Sequence, residues 1–64
     1  MITKKYEQYG NDCIIYTTLI LDDDVLIVIE RVVGHWFNDE PSVSVYTENA
    51  EDKFNELVKE IENE

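Results

Sequence analysis

Residues 13–33 read CIIYTTLILDDDVLIVIERVV, two apolar runs interrupted by three aspartates. Both runs, 13–21 and 25–33, are rich in β-branched side chains, a composition that favours strands. Asp22-Asp23-Asp24 supplies the break, so an antiparallel hairpin is the simplest arrangement. Side chains alternate along a strand, which sorts these residues onto two faces. In 13–21, Ile15, Leu19 and Leu21 point one way, and Ile14, Tyr16 and Ile20 the other. In 25–33, Val25, Ile27, Ile29 and Val33 oppose Leu26, Val28 and Val32. Both faces are apolar. A sheet with one wet face alternates apolar with polar residues, and this hairpin does not.

The flanking segments extend the sheet. ITKKYEQY, residues 2–9, alternates weakly, with Ile2, Lys4, Tyr6 and Gln8 on one side; it reads as an edge strand whose Lys4 and Lys5 discourage further pairing. Gly10-Asn11-Asp12 is a turn signal. Gly34 ends the hairpin, residues 35–41 (HWFNDEP) form a loop or an irregular strand extension, and Pro41 marks where pairing restarts. SVSVYT, residues 42–47, alternates cleanly as a fourth strand, with Val43 and Val45 opposite Ser44 and Tyr46. The remainder is a helix: Asn49 is a good N-cap residue, Asp52 stands at the third helical position, and Ala50, Phe54, Leu57, Val58 and Ile61 make one apolar stripe. Glu60, Glu62 and Glu64 sit at the negative end of the dipole, where the last turn is expected to fray. The expected architecture is α+β, one domain over 1–64: a small antiparallel sheet in the order β-β-β-β-α, with its helix packed on one face.

One helix covers one face. The other would expose large aliphatic residues beyond what monomers usually tolerate. A homodimer or higher assembly through the second face is therefore expected, with strong twist or closure into a small barrel as the alternative.

Composition narrows the function. The chain has 64 residues with 15 acids, 5 bases, one cysteine and one histidine, for a formal charge of −10. A domain this small buries only about 60% of its unfolded surface and needs reinforcement. A lone Cys13 excludes an internal disulfide, and with His35 as the single histidine a closed zinc site fails too. The charge argues against direct binding to nucleic acid or anionic lipid. Neither a secretory leader nor a run near the roughly 20 apolar residues of a membrane span is seen, so a cytoplasmic protein is expected.

Nothing in the sequence points to an enzyme, a cofactor or a metal. Asp22-Asp23-Asp24 runs straight into a hydrophobic strand and lacks the further ligands of a calcium loop. His35 beside Asp39 and Glu40 has no nucleophile near it, and Cys13 has no adjacent base. The acids are more informative. Residues 1–21 are neutral, so the whole −10 lies in 22–64. Asp52, Glu56, Glu60 and Glu64 recur every four residues, with Glu48 one step ahead. Such positions make a line of carboxylates opposite the apolar stripe, although like charges at this spacing cost the helix a few tenths of a kcal/mol per pair. The line is expected to imitate a phosphate backbone against a Lys/Arg groove. Trp36 and Phe37, rimmed by Asp39 and Glu40, have the composition of an interface anchor beside it.

Small size, acidity, a compact sheet and one acidic helix resemble the small inhibitors encoded by bacteriophages. SVSVYTENAEDKFNELV, residues 42–58, is similar to the strand–helix junction of acidic anti-CRISPR proteins that occupy a nuclease's DNA-binding groove. That resemblance implies a DNA mimic acting on a basic nucleic-acid-binding protein such as a CRISPR effector, inside a bacterial host cell. The order β-β-β-β-α also resembles the dimeric single-strand-binding domain of transcriptional coactivators, which would suit Tyr6, Tyr16 and Tyr46, although this chain lacks that family's basic sheet.

Overall fold

The computed structural model describes residues 1–34 and 40–63. Its elements are β1 (Ile2–Gly10), β2 (Cys13–Asp22), β3 (Val25–Gly34), β4 (Ser42–Tyr46) and α1 (Ala50–Glu62). The strands form one antiparallel sheet in the order β1-β2-β3-β4, each paired with its neighbour in sequence. This is the α+β architecture expected.

The strands run slightly further than the apolar runs. Asp22 pairs with Val25, leaving Asp23 and Asp24 as a two-residue turn, and Gly10 pairs with Cys13 across Asn11 and Asp12. Tight hairpin turns need positive φ, and Asp23 (φ 53°) and Asp12 (φ 63°) supply it. Asp tolerates that left-handed region better than most side chains because its short polar group bonds locally.

Register decides the faces. Leu19 opposes Val28, Leu21 opposes Leu26, and Tyr6 opposes Thr17, so these residues share one face. There α1 packs, and Leu19, Leu21, Leu26, Ala50 and Phe54 form the buried core, with Tyr6, Val28, Leu57, Val58 and Ile61 against it. Leu19 and Leu26 have no exposed surface at all. Lys4, Tyr6 and Gln8 line the same face of β1 and are half-buried, while Thr3, Lys5 and Glu7 are exposed.

The opposite face carries no element of the described chain. It reads in rows across the strands: Thr3-Ile20-Ile27-Val45, then Lys5-Thr18-Ile29-Val43, then Glu7-Tyr16-Arg31, then Tyr9-Ile14-Val33. Val43 is 60% exposed and Val45 58%. The alternation of β4 thus sends its valines away from the core and Ser44 and Tyr46 towards the helix side.

Two helix-end expectations change. Asn49 is the N-cap, but at φ 53°, ψ 39° it makes no side-chain cap bond. Capping requires an extended backbone that aims the side chain at the next turn, and the left-handed geometry turns it away. Its carbonyl still accepts the Lys53 N–H at 3.0 Å. At the other end, the turn expected to fray continues to Glu62, closed by the Asn63 N–H on the Lys59 carbonyl.

These two faces respond differently to charge. Leu19→Lys places an unpaired ammonium in the core, a loss of several kcal/mol that rivals the whole stability of a small domain. Ile20→Lys, one residue along, points out of the sheet and should leave the fold of a single copy intact. Far-UV circular dichroism through a urea titration separates the two variants. Equal loss from both would mean that the helix does not choose between the faces.

Candidate functional site

The candidate surface is built on the helix side of the sheet. Because Ala50, Phe54, Leu57, Val58 and Ile61 turn inward, positions four apart on the far side turn outward together. Asp52, Glu56 and Glu60 are all exposed, as is Glu48 just before the helix. A step of four residues rises about 6 Å, close to two nucleotide rises of about 3.4 Å along a DNA strand. The line also drifts around the helix by about 40° per step, so its Glu60 end leans over the sheet.

Folding extends this line in a way that spacing does not reveal. Asp24, from the β2–β3 turn, lines one open hollow together with Glu48, Glu51 and Asp52. The three-aspartate turn thus abuts the start of the helical line. At the other end Glu60 and Glu30 of β3 both line a cleft of about 260 Å³. Leu19 and Val28 line that cleft from the sheet and Leu57 and Ile61 from the helix, with Thr17 and Ser44 adding hydroxyls. Such a cleft suits the aliphatic stem of a Lys or Arg whose cationic head stays among carboxylates.

Two helix cations interrupt the acids less than their number suggests. Lys53 leans onto the Tyr46 ring, 5.5 Å from its centroid, which holds its ammonium against β4. Lys59 remains exposed in the last turn.

Glu62 does not join the line. It faces β1, where its Oε2 accepts the Tyr6 hydroxyl at 2.7 Å and the Lys4 ammonium at 3.4 Å. The Tyr6 hydrogen bond first, and then the Lys4 bond and charge, hold the Glu62 carboxyl below its ordinary 4.5. Partial burial, then that hydrogen bond and the negative charge beside it, push Tyr6 from 10.0 up to about 12.

The aromatic residues split. Tyr16 lies on the open face, while Tyr6 and Tyr46 belong to the helix side, so the three do not form one stacking platform. On the open face Tyr9 donates to Glu7 Oε2 at 2.8 Å. That bond, with the carboxylate's charge behind it, raises the Tyr9 phenol. Glu40 is exposed; the expected anchor Trp36 and Phe37, and with them His35 and Asp39, lie outside the described residues. Among the described residues, no three His, Cys, Asp or Glu side chains converge as a metal site, and no helix is long and apolar enough to cross a membrane.

No protein family, curated protein or solved structure matches the chain.

The Glu62 contact makes a signed prediction. A carboxyl held low in the folded state adds stability above its unfolded value near 4.5, and that contribution is lost as pH falls through the folded value. The raised Tyr6 phenol adds stability that is complete below pH 10.0 and is lost as pH rises through about 12. Tyr6→Phe should therefore be less stable than wild type at pH 7, with the gap closing on acidification below pH 4.5. Urea midpoints at several pH values measure it; a gap independent of pH would remove the Glu62 carboxylate from the interaction.

Proposed function

We propose that this chain is a non-enzymatic acidic inhibitor of the phage or mobile-element type. It works in the cytoplasm of a bacterial host cell, where it occupies the basic nucleic-acid groove of a host protein such as a CRISPR effector. The observation that carries this reading is the line Asp24, Glu48, Asp52, Glu56 and Glu60, exposed along one side of the molecule. The helix tolerates like-charge repulsion to keep it, where alternating Glu and Lys would have given solubility without that cost. Against a Lys/Arg groove the same charges are complementary. They speed encounter and fix orientation more than they deepen affinity. The anti-defence role rests further on the resemblance of residues 42–58 to acidic anti-CRISPR proteins.

A second reading, a homo-oligomeric nucleic-acid-associated module with a coactivator-like fold, expects Lys4, Lys5 and Arg31 on one face; Lys5 and Arg31 do share the open face with Tyr9 and Tyr16, while Lys4 lies on the helix side against Glu62. A mobility shift of single-stranded DNA by the purified protein at low salt would favour it over the inhibitor.

The inhibitor is tested by capture of basic nucleic-acid-binding proteins from a bacterial lysate, followed by titration of the captured partner. Changing Asp52, Glu56 and Glu60 together to Gln should keep the fold or strengthen it slightly, because i,i+4 repulsion is relieved. Association should slow by about tenfold at low salt, and the difference should shrink as salt shortens the screening length towards about 8 Å. Equal on-rates for variant and wild type at both salt concentrations would reduce the line to a solvated face.

A further inference from the structure

The open sheet face leaves Tyr9, Tyr16, Val43 and Val45 exposed, and its charge pattern says what covers it. We infer that the occupant is a second copy of the same chain, packed face to face about a two-fold axis that crosses the strands. The inference goes beyond the inhibitor reading and does not depend on it.

Area comes first. The ten-residue strands β2 and β3 are about 33 Å long, and the four strands together span about 15 Å between outer axes. One face therefore offers roughly 500 Å², and two faces about 1,000 Å² or somewhat more once side-chain relief is included. That reaches the threshold of a specific interface, and it is at the upper end of the patches that monomers leave exposed. The half-buried Ile14, Ile20, Ile27, Ile29 and Val33 are its apolar residues on the two middle strands, flanking a mixed centre of Thr18, Tyr16 and Arg31.

Charge comes second. A copy with a formal charge of −10 should repel its twin. The acids, however, are concentrated on the helix side and at the turns. Along its strands the open face holds two acids, Glu7 and, at the far end of β2, Asp22, against Lys5 and Arg31. Its rows are self-complementary. An axis passing between the Lys5 and Glu7 rows lays β1 over β1 and β2 over β2 in reverse direction. Lys5 of each copy then faces Glu7 of the other, and Ile20 and Ile27 lie over Ile14 and Val33. The Arg31 stem covers Ile29 of the second copy while its head reaches the rim.

The product is a four-layer sandwich, helix-sheet-sheet-helix. Its sheets lie about 10 Å apart, and its two acidic helices point outward on opposite sides.

The test is sedimentation equilibrium of the purified chain from about 1 to 100 µM, where a specific interface of this size associates. The expected result is twice the 7.5 kDa chain mass. Ile27→Lys shares the open-face row of Ile20, so it spares the core; it and Ile20→Lys should each weaken the dimer by at least about a hundredfold. Lys5→Glu and Glu7→Lys should each weaken it several-fold, and the double variant should recover. Raising salt should strengthen the dimer by screening self-repulsion, opposite in sign to its effect on a basic partner. A monomeric wild type overturns the inference, as does a dimer that survives both lysine variants, which would place the contact on a strand edge. Single charge variants that behave as wild type overturn the two-fold arrangement.

Discussion

Phe54 and Ala50 of α1 settle onto Leu19, Leu21 and Leu26, and that contact organises the molecule. A helix of thirteen residues is about 20 Å long, so it covers one face of the hairpin and not its full length. The odd-numbered residues of β2 and the even-numbered residues of β3 accordingly take the helix side, where Leu19, Leu21 and Leu26 become core. Every other apolar residue of the hairpin is turned away from the helix. The same contact fixes which side of α1 meets water, and so where the carboxylates stand.

Charge and hydrophobicity are thereby separated onto opposite sides of one thin body. Its Cα extents are 38 × 25 × 16 Å. From the helix to the open face the molecule passes from a line of acids to a sheet face carrying valines and isoleucines. Each side answers to a different force: the acidic one acts at a distance and is screened by salt, while the apolar one acts at contact and gains from salt.

Much of this was legible in the sequence. The two apolar runs, the aspartate break and the alternation of 42–47 located the strands, because side-chain period and turn chemistry are local properties. The apolar stripe from Ala50 to Ile61 located the helix for the same reason. What sequence could not supply was the pairing of distant residues. The shared hollow of Asp24 with Glu48, Glu51 and Asp52, the shared cleft of Glu30 and Glu60 and the Tyr6–Glu62 bond all depend on how the helix crosses the sheet. Asn49 shows a different limit, since its residue type is right for a cap while its backbone forbids the bond. A line of acids, finally, is equally visible whether or not anything binds it.

The bond between Tyr6 and Glu62 has a kinetic meaning. Every strand pair in this sheet joins neighbours in sequence, and the first two hairpins close over two-residue turns at little entropic cost. Tyr6 and Glu62 are 56 positions apart, and Lys4 and Glu62 are 58. Joining them closes a loop nearly as long as the described chain, worthwhile only after the sheet has shortened the path between them. The meander thus assembles from its hairpins outward, and the clasp between the first strand and the last helical turn forms late, as the step that completes the fold.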